Sequence, residues 1–322
     1  MGLARLVIGR LGAFALSALV ASLAVFLLIN LLPGDVAQVI LGANANPAAV
    51  DALREHLGLN DPVMLRYWHW LVGLAHGSLG GSAFTGAAIG GLLAPKLGVT
   101  LSLVIGGMAL AVALAMPAGA FAAMRRRQRS GAAVMVVSQL GMAVPAFVAA
   151  IALVTVFAVG LHWLPANGYT PLTQDPFQWA RRLVLPWVSL ALVQAAVLVR
   201  YVRSAFIDVL DEDYMRTARA IGWQRRKAVV RHGLRNASLQ IVTVLGLQLA
   251  TLLVGAVVIE NVFVLPGLGT LLLRSVNNRD LPVVQAIVML LVAFILVINL
   301  LVDLAYLLID PRLRLQTREA AA

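Results

Sequence analysis

Charged residues in this chain fall in clusters and leave, besides the His- and Gly-containing loop stretch Tyr67 to Pro95, six long stretches with no Asp, Glu, Lys or Arg. The stretches are Leu11 to Gly34 (24 residues), Leu97 to Met124 (28), Ser130 to Gln174, Leu183 to Val199 (17), Asn236 to Ile259 (24) and Leu281 to Val302 (22). A bilayer core of roughly 30 Å is crossed by about 20 apolar residues of helix. Five stretches meet that length outright, and the 17-residue one lies at its lower limit. The pattern predicts an all-α polytopic membrane protein with six transmembrane helices in a single domain spanning 1–322. Pro117, Pro145 and Pro186 fall inside the apolar stretches, where each removes a backbone hydrogen bond and offers a kink, serving either packing or a hinge.

The segments between the stretches supply an orientation. Lys and Arg are retained on the cytoplasmic side during insertion. With the N-terminus inside, the inner segments carry Arg5 and Arg10, then four arginines between Arg125 and Arg129, nine cations between Arg200 and Arg235, and Arg312, Arg314 and Arg318. These make 18 of the 25 cations, so both termini are expected in the cytoplasm. Arg181 and Arg182 run locally against this assignment, and reversing it would strand the other eighteen outside. The first stretch is too long for a cleavable signal sequence, whose apolar region is about 7–15 residues, and reads as a retained first span.

The longest outer loop, about residues 33–97, contains two short helical patterns. Asn46 precedes Pro47 as a cap, Val50, Leu53 and Leu57 share a face, and Gly58 supplies a stop. Asp61-Pro62 repeats the start signal, followed by a stripe of Leu65, Trp68 and Leu71 or Val72. These read as interfacial or lid helices that either cap the bundle or dock an outside partner.

Composition narrows the function classes. An apolar share of 61% and a mean hydropathy of +0.90 exceed those of soluble domains, where about 45–50% is usual. The net charge of +11 is spread over the inner loops with no aromatic-interleaved basic stripe, which argues against nucleic acid as a partner. With no cysteine, disulfides, thiolate metal sites and thiol nucleophiles are all excluded. His56, His69 and His76 lack metal-ligand spacing and read as surface residues, so they lend no support to nickel transport. No Gly-x-x-x-x-Gly-Lys-Ser/Thr loop is present, and the only lysines are Lys96 and Lys227. Any ATP-driven motor must therefore be a separate polypeptide.

The most basic inner loop, about residues 204–236, has a helix–glycine–helix pattern. Asp211, Glu212 and Asp213 stand where acids favour a helix N-terminus, Tyr214 to Ile221 are good helix formers, and Gly222 is placed for a left-handed turn. A second, basic helix is expected from Gln224. Such a knob suits a groove on another protein, with contact to the membrane surface as the plainer alternative.

At this loop the chain resembles the permease subunits of ATP-binding-cassette importers of the dipeptide, oligopeptide and nickel group. The family motif of Glu-Ala-Ala, three residues, Gly, nine residues, Ile, one residue, Leu-Pro falls on Arg216, Thr217, Ala218, Gly222, His232, Leu234 and Arg235, with departures at several positions. The peptide group's own version, Tyr-x-Arg-Thr-Ala-Arg-Ala-x-Gly followed by Arg-His-Ala-Leu-Arg-Asn-Ala, is similar to Tyr214 to Gly222, including Arg219 and Ala220, and to Arg231 to Ala237. Resemblance extends to Leu31-Leu-Pro-Gly-Asp35, Leu57-Gly-Leu59 with Pro62 and Tyr67-Trp68, Ser78-Leu-Gly-Gly-Ser82, Glu260-Asn-Val-Phe263 with Pro266-Gly-Leu-Gly269, and Asp303, Tyr306 and Asp310-Pro-Arg-Leu-Arg314.

The resemblance implies a type I importer permease fold in the bacterial cytoplasmic membrane, with Asp213 to Gly222, Arg231 and Arg235 coupling to an ATPase. The implied partners are a second permease, two ATPase subunits or one tandem ATPase, and an extracytoplasmic solute-binding protein. ATP and magnesium would belong to the ATPases, and no cofactor is expected here. Glu260, Phe263, Pro266 and Gly267 are candidates for an outer gate or structural turn. Gln139, Gln194, Gln248, Asn299 and Asp303 either line a polar path or bridge helices, and Asp303 is placed to pair with an inner-side arginine. Peptides are the expected solute, with nickel, haem, glutathione or sugars open. A self-sufficient secondary transporter would carry internal repeats and midplane charges, which are not evident. An intramembrane protease would need a nucleophile and base facing each other in the bilayer, whereas the five histidines fall in loops or near span ends.

Overall fold

A computed structural model describes residues 2–31, 36–42, 45–56, 58–221, 223 and 234–309. In chain order the helices are α1 (Gly2–Asn30), α2 (Val36–Leu41), α3 (Pro47–His56), α4 (Val63–Ala75), α5 (Ile89–Met124), α6 (Arg129–Ala143), α7 (Ala146–Leu153, continued by a π-helical turn Val154–Gly160), α8 (Pro176–Asp211), α9 (Asp213–Ala220), α10 (Leu234–Val262), α11 (Leu268–Asn277) and α12 (Leu281–Ile309). Among the described residues the only β pairing is an isolated bridge between Gly81 and Ala88.

Five helices, α1, α5, α8, α10 and α12, are long and apolar enough to cross a membrane unbroken. The sixth expected span is bent: α6 and the α7 segment meet at 95°. Pro145 is the cause. A proline disfavours the α conformation in the residue before it, and Val144 is extended at φ −90°, ψ 118°, so α6 ends there and Pro145 caps α7. Within the charge-free stretch Ser130 to Gln174, helical structure ends at Gly160. By contrast α5 continues through Pro117 and α8 through Pro186.

All five unbroken helices run past at least one end of their charge-free stretches, among them α5 and α8. α5 begins at Ile89, so the outer loop ends about eight residues sooner than expected, and Lys96 lies inside the helix. α8 takes in Arg181 and Arg182 at one end and Arg200 and Arg203 at the other, turning a 17-residue stretch into a 36-residue helix. Long cationic side chains near a span's end reach toward the interface with their heads, so charge marks the edge of the apolar zone without ending the helix. Asp175 starts α8 by accepting the Gln178 amide at 3.0 Å, with Pro176 in the first turn.

The chain packs as two compact units. In the first, residues 1–10, 100–265 and 298–322, α8 lies at the centre against α6, α7 and α10. Its most apolar stretch is 61% buried, against 17% for α1. Glycines admit α5 to its surface. A Cβ at Gly106 would stand 2.2 Å from the Trp187 indole nitrogen, and one at Gly119 would stand 2.6 Å from Val202. Trp187 also donates to the Ser102 carbonyl at 3.0 Å. Small residues that let backbones approach are the main source of helix attachment in lipid, where no hydrophobic force separates helix from solvent.

The second unit comprises residues 11–99 and 266–297. Its core gathers Ile89, Leu93, Leu268, Val283, Ala286 and Ile287. Buried Asp280, just ahead of α12, accepts Ser82 Oγ at 2.5 Å and the Ala83 amide at 3.0 Å, tying the loop before α5 to the start of α12. The loop helices form as their start signals predict: Asn46 accepts the Ala48 amide ahead of α3, and Gly58 takes φ +63° after it. Pro62 stands one position earlier than expected, as the cap of α4.

Candidate functional site

The Asp211–Ala220 segment forms a helical corner at one end of the first unit. Glu212 is extended (φ −67°, ψ 146°) and separates α8 from α9. Of the three acids expected to start the helix, only Asp213 lies in its first turn, where a negative charge faces the positive end of the helix dipole. Asp211 ends α8 and Glu212 caps it. Within α9, Thr217 Oγ1 bonds the Asp213 carbonyl at 3.2 Å, and the Ile221 amide bonds the Thr217 carbonyl at 3.1 Å.

One side of α9 is anchored. Met215 is 1% exposed and enters a cluster with Ala123, Val202, Phe206, Val209, Ala237 and Ile241, against which Tyr214 and Trp223 also pack. The opposite side, with Asp213, Thr217 and Ala220, is open, and Ile221 at the tip is 71% exposed. Arg216, Ala218 and Arg219 lie on the helix, but their side chains are outside the described set, as is that of Arg235 in the first turn of α10. Gly222, Arg231 and the basic helix expected from Gln224 lie outside the described residues, as do Leu32 to Asp35 and the segment from Asp310 onward.

The base of this corner is clamped. Arg126, in the turn between α5 and α6, donates from both terminal nitrogens to the two oxygens of Asp211, each at 2.7 Å. This parallel two-bond geometry fixes direction as well as distance, and the hydrogen bond raises the Arg126 guanidinium above its ordinary range. Gln240 of α10 adds a 3.4 Å bond to Asp208 of α8. Charge counting treated Arg126 only as a cytoplasmic marker. Its partner lies 85 positions away, and no local pattern reveals that pairing.

The polar residues of the spans resolve into pairs. Gln248 of α10 donates to Gln194 of α8 at 2.7 Å, both side chains buried. Glu260 of α10 is completely buried and accepts Thr100 Oγ1 of α5 at 2.5 Å. Arg10 of α1 meets Asp303 of α12 at 2.6 Å, and Thr243 of α10 bonds Tyr306 of α12. The structure does not bring Gln139 and Asn299 to these pairs, and both are exposed on α6 and α12. Gln194, Gln248 and Asp303 each bond a residue of another helix.

At the far end of α10 the Glu260 carbonyl accepts the Leu265 amide at 2.8 Å, and the buried Phe263 carbonyl accepts that of Gly168 at 3.3 Å. Val264 between them holds φ +53°. Pro266 is exposed, and Gly267 caps α11 with its carbonyl accepting the Thr270 hydroxyl at 2.9 Å. Among the described residues no three His, Asp or Glu side chains converge as a metal site.

The family model for the binding-protein-dependent transport system inner membrane component matches residues 115–315, and that for the N-terminal part of such components matches residues 3–102. The chain belongs to this family. It is a multi-pass inner-membrane permease of the ABC importer type. A probable peptide ABC transporter permease of Sinorhizobium fredii is 39% identical, with 94% of this chain and 100% of that protein aligned. A putative peptide transport system permease of Brucella abortus is 40% identical over 92% of this chain and 94% of its own length. The glutathione transport system permease GsiC of Escherichia coli K12 is 39% identical over 96% and 98%. Among solved structures, the inward-facing MetNI methionine ABC transporter aligns with a TM-score of 0.55 at 18% identity, covering 68% of this chain and 96% of that one, a likeness of fold. In the permease, the segment carrying the Tyr214 to Gly222 resemblance is thus a short helix anchored by Met215 and clamped at its base.

Proposed function

We propose that this permease moves di- and oligopeptides inward across the cytoplasmic membrane by alternating access, with both termini in the cytoplasm. It works beside a second permease, two ATPase subunits or one tandem ATPase, and an extracytoplasmic solute-binding protein. The residues Asp213 to Gly222, with Arg231 and Arg235, form its ATPase-coupling loop. The observation that carries this reading is the combination of an open tip with a fixed base. Thr217 and Ile221 present to the outside, while Met215 and the Arg126–Asp211 clamp hold the helix to α5 and α8.

Transmission of movement between subunits needs a stiff connector joined to elements with two packed arrangements. Closure of nucleotide-bound ATPases on the tip of α9 would pull on α8 directly and on the α5–α6 turn through Arg126. ATP and magnesium act in the ATPases, and the permease contributes movement, not covalent chemistry. The peptide solute follows the relatives' names and the group resemblance. Glutathione, itself a tripeptide, is the second reading, favoured by the GsiC likeness.

Reconstitution in proteoliposomes tests the assignment. Peptide uptake and ATP hydrolysis are measured with every subunit present and with each omitted. Uptake that requires ATP and all subunits supports the reading. Ion-driven or passive flux through this chain alone overturns it.

A further inference from the structure

The helix α4 lies against α1 through one face and leaves the opposite face apolar and open. Tyr67 and Trp70 pack on Phe26, with ring centroids 5.3 and 5.9 Å away, and the Tyr67 hydroxyl bonds that of buried Ser22 at 2.9 Å. At 100° per residue, Met64, Leu65, Trp68 and Val72 project to the other side, and they are 67%, 43%, 59% and 37% exposed. The apolar stripe of Leu65, Trp68 and Val72 expected from the sequence is thus the open side of the helix. Exposed His69 adjoins Leu65 at one side of this stripe, with Arg66 beyond it.

Depth identifies what covers the open face. α1 is a span ending at Asn30. At 1.5 Å rise per residue, Phe26 and Ser22 lie about 6 and 12 Å before that end. A helix held at that level is at the boundary between headgroups and acyl chains, where interfacial helices bury their apolar side about 5–10 Å. α1's own residues Leu27, Leu28 and Leu31 are likewise exposed, and Trp is enriched at this level of the bilayer. A docking protein that must bind and release offers a surface about as polar as the rest of its exterior, a poor match to a predominantly apolar face.

We propose that α4 is a membrane-interfacial helix, with Met64, Leu65, Trp68 and Val72 immersed in phospholipid at the Asn30 end of α1. It anchors the long loop in the bilayer. This depends on α1 being a span and is independent of the transported solute.

Because the chain has no cysteine, single cysteines at Met64, Trp68, Val72 and His69 can each carry a nitroxide label in the assembled importer. Leu28 serves as the lipid standard. In nanodiscs of phosphatidylethanolamine and phosphatidylglycerol, collision with oxygen and with a water-soluble nickel chelate is compared at each site. Labels at 64, 68 and 72 are expected to favour oxygen as Leu28 does, and the label at 69 to favour the chelate. Two results overturn the proposal: chelate preference at 64 and 72, which means an open aqueous face, or low collision with both reagents there, which means cover by a partner protein or second copy. Met64→Cys and Val72→Cys alone decide the question if Trp68→Cys does not assemble.

Discussion

Two carboxylates in the first unit, Glu260 and Asp211, each join α5 or its following turn to another helix, and they differ in their access to water. Glu260 is completely buried against Thr100. Asp211 is 56% exposed and grips Arg126 through two bonds. A polar group in the apolar zone has no solvent to replace a lost partner, so Glu260 and Thr100 matter to whether the helices stay packed. Water replaces any lost partner of Asp211, so its pair contributes little to folding and instead fixes where α9 points. The same chemistry thus supports stability in one place and direction in the other.

Substitutions separate the two roles. The largest stability effect is expected from Glu260→Ala, which takes a hydrogen bond from the buried Thr100 hydroxyl. A loss of about 1–3 kcal/mol should appear as a lower Tm in detergent, with Glu260→Gln retaining most of it. Next comes Gln194→Leu, which leaves the Gln248 amide without its bond at about 0.6–1.7 kcal/mol. Adding Gln248→Leu should recover part of that loss in a double-mutant cycle, because both polar groups are then removed. For Arg126→Gln and Asp211→Asn the expected Tm change is negligible while ATP-driven uptake falls several-fold. An Arg126→Asp/Asp211→Arg exchange that restored uptake would show that the pairing itself matters. The smallest effect is expected from Arg10→Gln, which breaks the half-exposed pair with Asp303 at under about 1 kcal/mol, fading as salt is raised. A Tm fall for Arg126→Gln as large as that for Glu260→Ala would erase the distinction.

Much of this was legible in the sequence. The spans follow from charge-free length, the start of α3 from Asn46-Pro47, and α9 from an acid-led run of helix formers ending in Gly222. Pro145 was named as a kink but its size was not, because a proline's local rule excludes the helical conformation at Val144 without saying where the next helix points. Leu65 and Trp68 are legible as a stripe, but the side it faces is not, because apolar spacing marks a face, and in a membrane protein an apolar face turns to lipid as readily as to the core. The Arg126–Asp211 and Gln194–Gln248 pairs join residues 85 and 54 positions apart. Composition marks these residues as polar and leaves their partners unassigned.

The most direct test of coupling through α9 is the insertion of two glycines after Ala218 in the fully reconstituted importer, reading assembly, ATP hydrolysis and peptide uptake together. The expected result is intact assembly with uptake abolished and hydrolysis no longer stimulated by the loaded binding protein. Undiminished uptake in that variant would contradict coupling through this helix.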